Sequence, residues 1–138
     1  MDLPSQLLKS EIKRGSIIYH KFDYIDHSKY CLIIGENKDD YIGLFFINSN
    51  INFKLNTKQE ILDLQYLLRK VDYDFLKYDS YLSCTEIKTI SKSKLLNSIE
   101  SKSTIFKGNL FPKHLNEILT LVRNSKVFSK FEKETFFK

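Results

Sequence analysis

Residues 81–90 carry the plainest structural signal in this chain and read Tyr81-Leu-Ser-Cys-Thr-Glu-Ile-Lys-Thr-Ile90. Apolar and polar residues alternate along most of this run, and β-branched and aromatic side chains are frequent in it. The pattern is typical of strands and predicts either one long strand or a bent pair of strands. Residues Ser91 to Leu96, which follow it, predict a short turn or a single helical turn.

Runs of the same kind lie on both sides of this segment. Polar or glycine-containing turns separate them, and β-branched and aromatic residues fill them, so each predicts a strand. The predicted strands are Ser16–Asp23, Lys29–Gly35, Tyr41–Ile47 and Ser103–Lys107. The run at 41–47 is almost continuously apolar, which indicates burial on both faces.

Two helices are predicted between and after the strands. Thr57 and Glu60 have the spacing of a capping box, and the apolar residues behind them recur at steps of three and four, which predicts an inserted helix near 58–71. Pro112 suits a first helical position, and the apolar spacing after it predicts a C-terminal helix near 112–124.

Many short strands with one inserted and one terminal helix predict a mainly β protein with helices (α+β), built on a small, strongly bent β-barrel. The 138 residues contain no repeat and no low-complexity linker, so we expect a single domain over 1–138. Its barrel core would span about 12–125, and a Phe/Lys-rich tail would occupy 126–138.

The net charge of +5 is unevenly distributed along the chain. Residues 1–80 hold 11 basic and 12 acidic side chains, whereas residues 81–138 hold 11 basic and 5 acidic ones. The whole positive excess therefore follows the 81–90 segment. A basic face of this kind suits nucleic acid, although a solvated lysine-rich surface has the same composition.

The two cysteines, Cys31 and Cys84, each lie within a predicted strand and have no local partner. We expect two reduced, buried thiols in a cytoplasmic protein, with no metal site and no cofactor. No apolar run is long enough to span a bilayer, and the N-terminus lacks a signal pattern, so no membrane contact is expected.

Taken in order, these segments resemble the MazF/PemK-type toxins of toxin–antitoxin systems. The opening Lys13-Arg14-Gly15-Ser16-Ile-Ile is similar to the family's first strand, and Gly108-Asn-Leu110 before the last helix is similar to its Gly-x-Leu. The most specific likeness is the block at 79–95, where Cys84-Thr-Glu-Ile-Lys-Thr-Ile90 resembles the family's Cys-Asp-Gln-Ile-Arg-Thr-Ile. The resemblance implies an SH3-like barrel, a homodimer, an antitoxin protein as partner and metal-independent cleavage of single-stranded RNA.

The resemblance also implies the residues of the site. The family's basic residue at the second strand falls on Lys29, and its hydroxyl-bearing residue after the third strand falls on Asn48 or Ser49. His27 lies two residues before Lys29 in a loop, where an imidazole can move protons near neutral pH. We therefore predict a catalytic set of Lys29, His27 and Ser49, and an RNA-binding set of Lys88, Lys92, Tyr30, Asn48 and Thr85.

Departures from the family pattern leave other interpretations open. Lys replaces the family's Arg at 29 and 88, and Ser91 replaces an Asp, so bidentate phosphate clamping is lost while charge is kept. A catalytically silent barrel that binds RNA or protein is one alternative. An assembly protein that docks through its tail phenylalanines, Phe128, Phe131, Phe136 and Phe137, is another.

Overall fold

The computed structural model describes residues 12–49 and 58–138. In these two ranges the chain forms one sheet of six strands, a 3-10 turn at Lys70–Asp72 and four helices. The strands are β1 (Ser16–His20), β2 (Lys29–Glu36), β3 (Tyr41–Asn48), β4 (Gln65–Leu68), β5 (Ser80–Ser91) and β6 (Thr104–Asn109), and the helices are α1 (Gln59–Leu62), α2 (Lys92–Glu100), α3 (Pro112–Arg123) and α4 (Lys130–Phe136).

The sheet is antiparallel throughout, with the strand order β4-β5-β3-β2-β1-β6. The α+β class predicted from the sequence is therefore confirmed. Within the described residues β4 and β6 form the two edges and no pairing joins them, so the sheet is open where the sequence predicts a barrel. The strand pairing also changes register between Leu44 and Phe46, opposite residues 83–88 of β5.

Both faces of the sheet are covered, and alternation along each strand divides the core in two. On the first face Leu32, Phe45 and Leu82 pack with Ile118 and Val122 of α3. On the second face the residues between them, together with Ile90 of β5, pack against one side of α2; the buried residues of this core are Ile18, Phe22, Cys31, Ile33, Ile42, Leu44, Ile90, Leu95 and Ile99. The run at 41–47 is thus buried from both sides, as predicted.

The last helix, α4, is held against the sheet by contacts that its backbone makes. Gly35 and Gly43 lie under Phe136, whose carbonyl and ring occupy the space that a Cβ would take at either glycine. The guanidinium of Arg14 donates to the carbonyl of Phe136 at 3.0 Å, and Nε of Arg123 donates to the carbonyl of Phe137 at 2.5 Å. Phe128 and Phe137 complete this packing inside the core of the first face.

The tail therefore belongs to the core and does not form a free docking arm. Phe128, Phe136 and Phe137 are buried, and among the four tail phenylalanines only Phe131 is exposed. This burial was not predicted from the sequence, because lysines and glutamates separate the phenylalanines and obscure the helix in this segment. Ser129 and Glu132 form a capping box at the start of this helix.

The predicted helix near 58–71 is wrong beyond its first turn. Gln59–Leu62 is a single turn of helix, and the following Gln65–Leu68 pairs with β5 as an edge strand. Leu64 and Leu68 are both buried, because a spacing of four places two residues on one side of a strand as well as of a helix. Pairing with β5 satisfies the backbone hydrogen-bonding groups of this segment, so tertiary contacts override its helical sequence pattern. Thr57 lies outside the described residues.

Two further elements refine the expectations. The C-terminal helix is confirmed at Pro112–Arg123. The single helical turn expected after Ser91 is a helix of nine residues, capped by the Ser91 hydroxyl, which accepts from the amide of Lys94 at 3.2 Å. No helix in the described parts of the chain has the length and apolar character needed to cross a membrane.

Candidate active site and nucleic-acid interface

A recess of about 260 Å³ opens where β2 begins and β3 ends. His27, Lys29, Tyr30 and Ser49 line it, together with residues 76–78 from the loop before β5 and Ser80 at the start of that strand. The three residues predicted as catalytic thus surround one space. They meet because β2 and β3 are antiparallel neighbours, which places the start of one strand beside the end of the other.

His27 lies on the exposed loop before β2 and is paired with its neighbour Asp26. Nδ1 of His27 is 2.8 Å from Oδ1 of Asp26, and this hydrogen bond is the main cause that lowers the pKa of the Asp26 carboxyl. With the proton placed on Nδ1, the carboxylate accepts it and Nε2 keeps a lone pair. An imidazole oriented in this way can accept a proton from a bound hydroxyl.

Lys29 lies between the recess and the second face of the sheet. Its ammonium donates to Oδ1 of Asn48 at 2.5 Å and lies 5.5 Å from the centre of the Phe46 ring. Burial lowers the pKa of Lys29, since partial desolvation disfavours the charged form. The site therefore holds a partly dehydrated cation, which attracts an anion more strongly than a cation in bulk water does.

Four half-buried residues continue the site across the second face; we call Lys29, Phe46, Asn48, Thr85 and Lys88 together the polar patch. Lys88 stands 5.6 Å from the centre of the same Phe46 ring that Lys29 contacts. Its ammonium also forms an ion pair of 3.0 Å with Glu86, whose side chain is 70% exposed. The patch therefore presents two cations around one aromatic ring.

Thr85 completes the patch on β5. Its hydroxyl lies 3.1 Å from that of Ser83, which is the register partner of Phe46. The register shift opposite residues 83–88 brings Ser83 beside Phe46 and Lys88 beside Leu44. This irregularity in the pairing directs polar side chains of β5 toward the patch, and bulges commonly change the direction of side chains in this way.

Tyr30 forms a wall of the recess on the other side of β2 from Lys29. Its ring packs against Tyr19 and Phe75, with centroids at 4.5 and 5.0 Å. Burial is the main cause that raises the pKa of its phenol. The hydroxyl therefore stays protonated at neutral pH and can donate a hydrogen bond, while the ring is held by its aromatic neighbours.

Lys92 is the one predicted RNA-binding residue that the structure places elsewhere. Its ammonium pairs with Glu36 at 3.2 Å, and both line a separate cavity beside Arg14. Glu36 ends β2 whereas Lys29 begins it, so the two lysines lie at opposite ends of a strand about 23 Å long. Lys92 follows directly on the Ser91 helix cap, so the replacement of the family's Asp by Ser91 retains a residue that suits capping.

Sequence reasoning missed three contributors to the site. Asp26 orients His27, Phe46 supports both lysines, and Lys77 adds a cation to the recess wall. Adjacency to His27 was an available signal for Asp26, and strand alternation placed Phe46 two residues from Asn48. Lys77 reaches the recess through the folding of residues 69–79, which no local pattern specified.

The cysteines are free and fully buried, as predicted. Burial raises the pKa of Cys31 to about 12 and raises that of Cys84 further, so neither thiol is a nucleophile at neutral pH. In the described ranges no group of three or more His, Cys, Asp or Glu side chains has the arrangement of a metal site.

No model of a known protein family matches the chain, and no curated protein shows a significant sequence match to it.

Proposed function

We propose that this protein is a MazF/PemK-like toxin, an endoribonuclease that cleaves single-stranded RNA without a metal ion. The observation that carries the proposal is the meeting of His27, Lys29 and Ser49 in one recess. The proposal includes an SH3-like fold, a homodimer, an antitoxin protein as partner and a cytoplasmic location.

Cleavage would proceed by attack of a ribose 2′-hydroxyl on the adjacent phosphate. His27, oriented by Asp26, takes the 2′ proton through Nε2 as the 2′-oxygen bonds to phosphorus. Lys29 stabilises the charge that develops on the phosphorane, and its desolvation strengthens that interaction. The bond to the 5′-oxygen then breaks, and the protonated imidazole supplies the proton to the leaving alkoxide, which leaves a 2′,3′-cyclic phosphate.

Ser49 and Asn48 have supporting roles in this mechanism. The Ser49 hydroxyl in the recess is a donor for a nonbridging phosphate oxygen. The Asn48 amide oxygen accepts from Lys29 and so holds the ammonium toward the site. Tyr30 offers its protonated phenol from the recess wall.

The polar patch is the proposed contact for the flanking strand. Lys29 and Lys88 neutralise successive phosphates, and Thr85 adds a hydroxyl donor. Since each lysine binds phosphate as a point charge, this contact is less directional than the arginine clamp of the family. Strong dependence of binding on salt follows.

The second candidate is an RNA-binding protein without cleavage activity. One observation favours it: the polar patch is built without His27, whose side chain is 66% exposed and, among residues 12–49 and 58–138, is fixed only by Asp26. A patch of two cations and an aromatic ring suffices for single-strand binding, whereas catalysis also needs the imidazole to be held in place.

Cleavage of a labelled single-stranded RNA in excess EDTA tests the proposal. We expect wild-type protein to produce 2′,3′-cyclic phosphate ends, and a strand with a 2′-deoxy residue at the cleaved position to stay intact. His27→Ala and Lys29→Ala should each lower the rate at least 100-fold, while Lys92→Ala, a lysine from the other end of β2, should keep it within about twofold.

The outcomes separate the two candidates. Intact RNA that still shifts with wild-type protein in a low-salt gel would overturn the nuclease and favour the binding protein. Absence of both cleavage and binding would overturn both. Growth arrest on expression, relieved by a small protein encoded immediately upstream, would support the toxin and identify its antitoxin.

A further inference from the structure

A second recess of about 290 Å³ adjoins the polar patch on the second face. It lies between the loop after β1 and the start of α2, and its lining includes His20, Phe22, Tyr24, Tyr41 and Lys94. None of these residues takes part in the proposed cleavage mechanism. Four of these five residues, all except Lys94, have aromatic rings.

The rings of His20, Phe22 and Tyr24 form a continuous path from this recess to the patch. Phe22 contacts His20 at 4.5 Å, Tyr24 at 5.6 Å and Phe46 of the patch at 5.2 Å between ring centroids. Lys29 and Lys88 both stand over Phe46, so the ring that carries the two cations is also in contact with Phe22 of the recess. The recess and the patch are thus two parts of one surface.

Two of the rings are held at the surface of the recess. Tyr24 is 66% exposed and Tyr41 is 45% exposed, although large aromatic side chains are usually more buried. The loop that carries Tyr24 is pinned by the Lys21 ammonium, which donates to the carbonyl of Phe22, and by an ion pair of 2.6 Å between Asp23 and Lys94. Pinning reduces the entropy that a loop would lose on binding a flat ligand.

The recess also has polar groups at its base and rim. Nδ1 of the buried His20 is engaged by the Thr104 hydroxyl at 2.6 Å, and none of the described residues bonds to its Nε2. The Asp23 carboxylate and the Lys94 ammonium stand at the rim. Aromatic faces with nearby donors and acceptors are the combination by which proteins hold unpaired bases.

We propose that this recess binds one unpaired base of the RNA strand whose phosphates contact Lys29 and Lys88. Tyr24 and Tyr41 stack on or flank the base, and His20 and Asp23 lie within reach of its hydrogen-bonding edge. This subsite rests on the RNA binding proposed above and extends it, because it makes contact with a base and not only with the backbone.

The test measures binding with cleavage removed. Fluorescent 2′-O-methyl RNA strands keep every base and phosphate but lack the attacking hydroxyl, and matched strands with abasic positions keep only the backbone. Tyr24→Ala and Tyr41→Ala should each weaken binding of the base-containing strand about tenfold and change binding of the abasic strand less than twofold. Phe131→Ala, which removes an exposed ring from α4, is the matched control and should change neither.

Each result has one meaning. Unchanged affinity of both tyrosine variants for the base-containing strand, or an equal loss for both strands, would overturn the base subsite while RNA binding by the patch stands. Failure of wild-type protein to bind either strand at low salt would overturn the proposed function, and the subsite with it. Lys29→Ala should weaken both strands alike, which distinguishes phosphate contact from base contact.

Discussion

Nζ of Lys29 lies 2.5 Å from Oδ1 of Asn48, a bond that joins the first residue of β2 to the last residue of β3. The antiparallel pairing of these strands brings the two side chains to one end of the sheet. Because the amide oxygen is neutral, it holds the ammonium without cancelling its charge. Lys29 is thereby available to an anion at this end of the sheet, whereas Lys92, which pairs with Glu36, lies beside the opposite end of β2.

This difference predicts how the salt dependence of RNA binding responds to mutation. Lys29→Gln and Lys88→Gln should each reduce the slope of log K against log salt by about 0.7, the value of one phosphate contact on a single strand. Lys92→Gln should leave the slope unchanged. Fluorescence anisotropy on a 2′-O-methyl strand between 50 and 300 mM salt measures it, and equal slopes for all three variants would contradict the patch.

A second prediction concerns pH and His20. Burial is the main cause that lowers the pKa of His20 in the folded state, and Lys94 lowers it further. Below the ordinary value near 6.5 the unfolded chain therefore binds a proton that the folded chain does not. The free energy of unfolding should fall as the pH drops from about 6.5 toward the lowered pKa. Above pH 7 the titration of His20 should no longer affect it.

His20→Asn keeps a polar group near Thr104 and removes the titration. Its urea midpoint should depend less on pH between 6.5 and 5 than that of wild type, whatever its absolute stability. Parallel pH profiles for the two proteins would show that the buried imidazole does not carry the acid sensitivity.

The strands were predictable from sequence because their signal is local. The runs at 29–35 and 41–47 are apolar and β-branched, and the structure extends each by only one residue. The prediction of a helix near 58–71 was wrong for the opposite reason. The spacing of Leu64 and Leu68 fits both a helix and a strand, and pairing with β5 decides in favour of the strand. No local pattern contains that partner.

The same distinction applies to the site. Lys29 and Ser49 were predicted through the family resemblance and His27 from its place in the loop before Lys29, and their meeting in one recess follows from the pairing of β2 with β3. Lys92 was assigned with Lys88 because the two are close in sequence, yet a helix begins between Ser91 and Lys92 and turns the chain away. The aromatic path from Phe46 through Phe22 to Tyr24 joins β3 to a loop twenty residues earlier, which spacing alone does not reveal.

A third prediction concerns the glycines under α4. A Cβ at Gly35 would overlap the backbone carbonyl of Phe136, whereas a Cβ at Gly43 would lie 2.7 Å from the Phe136 ring. Gly35→Ala and Gly43→Ala should both destabilise the protein, by about 1–3 kcal/mol, the usual cost of overpacking. Only the second clash involves a side chain that can be shortened.

Double-mutant cycles separate the two cases. Phe136→Leu should recover part of the stability lost in Gly43→Ala, with a coupling of at least about 0.5 kcal/mol, and should recover none of that lost in Gly35→Ala. Chemical denaturation of the four proteins in each cycle gives the couplings. Additive effects at Gly43 would mean that the ring does not rest on that glycine.

The last prediction concerns the tail, for which the sequence left a docking arm as one alternative and the structure gives a core element. Phe137 is fully buried and contacts the rings of Phe45 and Phe128, with centroids at 6.0 and 5.0 Å. Phe137→Ala should lower the free energy of unfolding by about 3–5 kcal/mol, as expected for loss of a buried phenylalanine. Phe131→Ala, in the helix that ends just before Phe137 but 75% exposed, should change it by less than about 0.5 kcal/mol.

Truncation after Ser125 removes Phe137 with Phe128, Phe136 and the two carbonyls that Arg14 and Arg123 bind. A protein of this size has about 5–15 kcal/mol of stability in total, so this loss should unfold it at 25 °C or leave it barely folded. Circular dichroism and proteolysis measure the outcome. A truncated chain that stays folded and loses only an oligomeric contact would restore the docking arm, since burial of three phenylalanines in the core is incompatible with their free removal.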